Sequence, residues 1–164
     1  SLDANVMSSL VEYLETEFDF ILVDSPAGIE QGFIYATSVA DEAIIVVNLD
    51  LATLRDNDRV VGLLMKKNIH NISMIINRVN VEDIEEGRSL TVDDAKEILA
   101  LPLLGIVYDD HEMIEANNRG RPIYLEKGHL LHQCFDNISL RLLGQDRALT
   151  KYKKRSLLSR IFSG

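Results

Sequence analysis

FILVDSPAGIEQGF, residues 20–33, decides how the fold is read. Four apolar residues, Phe20 to Val23, run into Asp24, and Ser25, Pro26, Ala27 and Gly28 then turn the chain instead of continuing the run. The order of strand, carboxylate and turn belongs to the carboxyl end of a strand in an α/β sheet, where loops diverge and ligands bind in the crevice they leave. A carboxylate there suits a hydrated Mg²⁺ as an outer ligand, or positions a water. It equally serves to cap a helix or tie down a loop. Gly28 lets the backbone approach a phosphate or simply turn, and Glu30 also reads as the first-turn acid of the next helix.

Outward from this stretch, short apolar runs recur at 43–47 (AIIVV), 72–76 (ISMII) and 103–107 (LLGIV). Helical patterns lie between them at 30–39, 53–67 and 92–100, the last opened by the capping pair Thr91 and Asp94. Another helix is expected over 3–17, with Val6, Leu10 and Leu14 on one side and Asp3 as its cap, and two more over 110–118 and 129–143. Gly144 ends the last of them. Strands apolar on both faces and alternating with helices indicate an α/β fold with a mostly parallel sheet flanked by helices.

The 164 residues, 46% hydrophobic, are enough for one globular core. The single cysteine, Cys134, cannot form an internal disulfide and reads as core. The first residues carry no secretory signal pattern, and the absence of an initial Met points away from a natural start at residue 1. Net charge is −9, but residues 151–164 carry five basic and no acidic side chains, so that segment is +5 and the rest is −14. The acidic body should repel nucleic acid, while the basic end should be drawn to anionic surfaces. Within KYKKRSLLSRIF, Leu157, Leu158, Ile161 and Phe162 gather on one side of a helix, with Lys153, Lys154, Arg155 and Arg160 before and around them. This is the composition of an interfacial membrane helix, and also of a solvated terminus or a helix packed on a partner. His129 and His132 lie three apart with no acid or thiol at ligand spacing, which argues against a metal site there.

FDFILVDSPAGIEQGF resembles the Walker B and switch II segment of the MinD/ParA family, membrane- and DNA-associated positioning ATPases with a deviant Walker A loop. The resemblance continues through ADEAIIVV, LRDNDRVVGLL, IINRV, LLGIVYDD, EANNRGRPI and LRLLG, and DSPAGIEQGF favours the MinD branch over the plasmid-partition and flagellar-placement branches. It implies a P-loop NTPase-like fold, ATP and Mg²⁺ as ligands, and ATP hydrolysis. Asp24 would act at Mg²⁺, through water, and at the attacking water, with Ser25, Pro26, Ala27, Gly28, Ile29 and Glu30 as switch II. Asn77, Arg78, Tyr108 and Asp109 would lie beside the adenine, Tyr108 standing where the family usually has Pro. Asn48 to Asp50 replaces the family's usual Thr-Pro-Glu. Arg55, Asp56, Asp58 and Arg59 match a partner-docking face for a MinC-like inhibitor and for MinE or another regulator; read without the family, they are a solvated charge cluster.

The family's phosphate loop is missing. No G-x-x-x-x-G-K-[ST] occurs in the 164 residues, although backbone N–H groups and a lysine are what hold nucleotide phosphates. The chain therefore reads as the C-terminal part of a longer protein: residues 1–143 as part of the ATPase domain, 144–152 as a linker and 153–164 as an amphipathic membrane-targeting helix. Alone it should hydrolyse ATP poorly or not at all. The expected whole is a cytoplasmic cell-division regulator, peripheral on the inner face of the membrane, that places the septum by dimerising on ATP and recruiting an inhibitor. The alternatives are a truncated, non-catalytic scaffold paralogue and another ParA-like positioning ATPase.

Overall fold

The computed structural model of the chain describes residues 4–26 and 28–152. In chain order the elements are α1 (Ala4–Leu14), α2 (Gln31–Thr37), β1 (Glu42–Val47), α3 (Leu51–Lys66), β2 (Asn71–Val79), α4 (Val81–Glu85), α5 (Val92–Leu99), β3 (Leu103–Tyr108), α6 (His111–Asn118), a 3₁₀ turn (Ile123–Leu125) and α7 (Leu130–Leu142). Among the described residues the strands form one parallel sheet in the order β1-β2-β3. This is the α/β, helix-flanked parallel sheet expected from the alternation of apolar runs and helical patterns.

Burial follows the sheet order. Central β2 buries Ile72, Met74 and Ile76, the last two completely, and β3 is buried from Leu104 to Tyr108. Val61 and Leu64 of α3 recur at helical spacing and bury beside Leu54, while Leu131, Cys134 and Ile138 of α7 do the same against β3. Each such apolar side chain removed from water stabilises the fold by about 1.5–3 kcal/mol. Gly105 brings α7 close: a Cβ there would fall 2.2 Å from Ile138 Cγ1.

The helix boundaries have local causes. Asp50 starts α3 by accepting from Thr53 N at 2.8 Å and Thr53 Oγ1 at 2.6 Å. Thr91 and Asp94 close the expected reciprocal box on α5, and Gly144, at φ 77°, follows α7. Two short elements were not evident from periodicity: α4, started by Asn80 accepting from Glu82 N and Asp83 N, and the 3₁₀ turn.

Residues 20–23 correct the sequence reading, because they are not a strand. Phe20 is 57% and Leu22 80% exposed, with Ile21 and Val23 half-buried. A strand exists only through a ladder of hydrogen bonds to a neighbour, and this segment has no ladder partner among the described residues. β1 likewise is an edge with Val46 55% exposed, so it is not apolar-covered on both faces as expected. α1 ends at Leu14 instead of 17 and leaves Val6 and Leu10 exposed; Asp3, its expected cap, lies outside the described residues.

Gly105→Ala should destabilise the protein by about 1–3 kcal/mol through overpacking against Ile138, read as a lower urea midpoint at unchanged slope. A pH series tests the caps. The Thr53 hydroxyl and then its N–H hold the Asp50 carboxyl below the ordinary carboxylate range, and the Thr91 N–H and then hydroxyl do so for Asp94. A depressed carboxyl stabilises the fold above its unfolded pKa, about 3.9, and that contribution is lost as pH falls through the lower folded value. Asp50→Asn should therefore lower stability near neutrality and converge with the parent below that range.

Candidate functional site

The carboxyl ends of β2 and β3 carry the most distinctive backbone of the chain. Between the pairs Ile76–Ile106 and Val79–Tyr108, β2 holds one more residue than β3, a bulge that re-aims the strand. Arg78 sits in this bulge at φ 54°, a left-handed conformation that a non-glycine side chain adopts at a cost of about 1 kcal/mol or more. Its guanidinium thereby faces Asp109, with Arg78 Nε donating to Asp109 Oδ1 at 3.4 Å, while Asp109 N donates to Val79 O at 3.0 Å. Asn77 beside them is half-buried. Asn77, Arg78 and Asp109 thus share one edge, although 31 residues separate the ion-paired two.

Asp24 is exposed and follows the unpaired segment. Ser25 Oγ donates to Pro26 O at 3.3 Å, Gly28 takes φ 98°, Ile29 is 57% exposed, and Glu30 flanks the start of α2 without a side-chain cap. Ala27 lies outside the described residues. Gly32 lets this loop rest on α2, since a Cβ there would meet Pro26 Cγ at 2.6 Å. Residues 48–50 form a fastened turn, with Asp50 capping α3 and Leu49 O accepting from Leu90 N at 3.1 Å. On α3, Arg55, Asp56, Asp58 and Arg59 are all exposed, opposite the buried Leu54, Val61 and Leu64; Arg59 Nη1 and Asp56 Oδ1 are 3.8 Å apart.

Tyr108 is committed elsewhere. It is buried, its hydroxyl donates to Thr150 O at 2.8 Å, and its ring centroid lies 5.3 Å from that of Tyr152. Burial pushes the hydroxyl above its ordinary pKa. Lys153, Lys154, Arg155, Leu157, Leu158, Arg160, Ile161 and Phe162 lie outside the described residues. Among the described residues no helix is long and apolar enough to cross a membrane.

One cluster was invisible to spacing. His129 Nε2 lies 3.3 Å from Glu112 Oε2 and 3.7 Å from Asp110 Oδ2, brought together by the starts of α6 and α7. His129 Nδ1 accepts from Leu131 N at 3.1 Å and so caps α7, which by this hydrogen bonding assigns the neutral ring's proton to Nε2. A cation at Nε2 would have to break that cap, and the adjoining helix starts oppose positive charge. The cluster is a fastening between two helices.

For a magnesium nucleotide, the fit is partial. Asp24 offers an exposed carboxylate, and Asn77, Arg78 and Asp109 offer a polar rim for a planar base. Nothing in the 164 residues provides a glycine-lysine phosphate cradle.

No protein-family model matches the chain. It is 44% identical over 147 residues to the septum site-determining protein MinD of Synechocystis, covering 89% of this chain and 55% of that protein. Among solved structures, the MinC:MinD cell division protein complex of Aquifex aeolicus superposes with a TM-score of 0.88 at 38% identity, over 93% of this chain and 63% of that one. The septum site-determining protein MinD of Pyrococcus horikoshii, complexed with Mg-ADP, superposes with a TM-score of 0.74 at 27% identity, over 85% and 56%. The chain spans about half the length of the curated relative. These matches fit the C-terminal portion of MinD.

Proposed function

We propose that the chain is the C-terminal part of a septum-positioning ATPase, an ATP-dependent switch in bacterial-type cell division. The observation that carries this reading is the superposition on the Aquifex MinC:MinD complex over 93% of the chain. In the complete protein, ATP binding drives dimerisation, residues 153–164 attach the dimer to the inner face of the cell membrane, and the charged face of α3 receives a MinC-like inhibitor, with MinE or another regulator as a second visitor. The protein is then cytoplasmic and peripheral, and the −14 body disfavours DNA as its surface.

The residues divide the work. Asn77 and the Arg78–Asp109 pair flank the base, supported by the strained bulge that aims Arg78. Asp24 orients the attacking water, with Ser25 to Glu30 as the segment that responds to the nucleotide. Bound Mg²⁺ supplies neutralisation of phosphate charge. A phosphate loop outside these 164 residues completes the site, so the isolated chain does not hydrolyse ATP.

A second reading, a non-catalytic scaffold that keeps the membrane and partner surfaces, is favoured by one observation: residues 20–23 stand outside the sheet, so the segment leading to Asp24 is not held in a strand. The product of the complete gene separates the two. It should hydrolyse ATP and sediment with anionic vesicles in an ATP-dependent manner. Asp24→Asn should lower turnover roughly a hundredfold or more while leaving ATP binding in place, and Arg78→Ala should weaken ATP binding about tenfold, the loss of one charge-assisted hydrogen bond. Vesicle binding without any hydrolysis would give the scaffold reading first place, and tight salt-dependent DNA binding would move the protein to the ParA branch.

A further inference from the structure

Residues 143–152 contain no helix or strand, yet they are fastened along their length. Arg141, in the last turn of α7, reaches in two directions: Nη1 donates to Arg147 O, and Nη2 to Leu103 O at 2.8 Å. Leu149 packs against the core. The Thr150 hydroxyl accepts from Asn137 Nδ2 at 2.8 Å and donates to Gln133 O at 3.3 Å, so it clasps one face of α7. The last fastening is Tyr108, whose hydroxyl donates to Thr150 O and whose ring packs on Tyr152 with the planes 49° apart.

We propose that Tyr108 is the latch of this strap, a positioning residue that makes the basic segment after Tyr152 leave the domain beside the carboxyl end of β3 instead of from the end of α7. The strap's geometry stands alone; its purpose rests on the membrane reading above. Unlatched, the roughly ten residues after α7 would form a flexible tether with an end-to-end distance on the order of 17 Å. Latched, the root of the segment is held by the side chain of Tyr108, the residue before Asp109 in the chain. Fixed roots matter where two copies meet one surface, because the second basic segment then binds at a high effective concentration set by a short tether.

The test uses the complete protein and its Tyr108→Phe variant, which keeps the ring and removes only the hydroxyl. Hydrogen exchange by mass spectrometry should show amides of 145–152 exchanging about fivefold faster in the variant, the equivalent of one neutral hydrogen bond, with β2 and β3 unchanged. Sedimentation with phosphatidylglycerol-containing vesicles should then weaken by at least twofold. Unchanged exchange in 145–152, or an equal rise across strap and sheet, overturns the latch. A loosened strap with unaltered vesicle binding overturns the positioning role. If the parent itself ignores vesicles, the membrane reading fails, and strap exchange alone still decides the latch.

Discussion

Gly105 has no side chain, and that absence lets Ile138 of α7 lie directly on β3. The contacts between α7 and β3 depend on this close approach. α7 carries Asn137 and Arg141, which hold the strap, and His129, which joins the start of α7 to that of α6. β3 ends in Tyr108, turned toward the strap, and the next residue, Asp109, pairs with Arg78. Setting α7 farther from the sheet would separate the strap it holds from Tyr108.

The same end of the sheet stores local strain. A parallel ladder continued in register would carry Arg78 along β2 with ordinary dihedral angles. The extra residue and the left-handed Arg78 turn its side chain toward Asp109, and an outlier of this kind is sustained only where surrounding structure over-determines it. Here the surrounding structure is the buried run of β3 and the hydrogen bond from Asp109 N to Val79 O. A strained, exposed ion pair at the carboxyl edge of a parallel sheet contributes little to stability, which is why it is read as part of a binding rim.

Elsewhere among the described residues, apolar surface and a strand edge stay open. Among the described residues β1 presents an unpaired edge, Val46 is exposed, and Val6 and Leu10 of α1 and Phe20 and Leu22 face outward. Unpaired strand edges and apolar faces are ordinarily covered. The candidate catalytic Asp24 follows an exposed segment outside the sheet, whereas the candidate base rim stands at the ends of the paired strands β2 and β3.

Much of this was determined by the sequence alone. Three apolar runs became β1, β2 and β3, because hydrophobic period and length report burial directly, and the Thr91–Asp94 box and Gly144 set helix ends because capping is chemistry between residues a few positions apart. The motif DSPAGIEQGF and the charge asymmetry of the end are likewise local, so the family was legible there. The tertiary structure decided whatever depends on residues distant in the chain. It left Phe20 to Val23 out of the sheet, since a strand needs a neighbour that its own residues cannot supply. It paired Arg78 with Asp109 through a bulge that no propensity marks, set Asp110 and Glu112 on His129, and turned Tyr108 to Thr150. Each of these arises from how packed elements align, and spacing along a chain carries no record of that alignment.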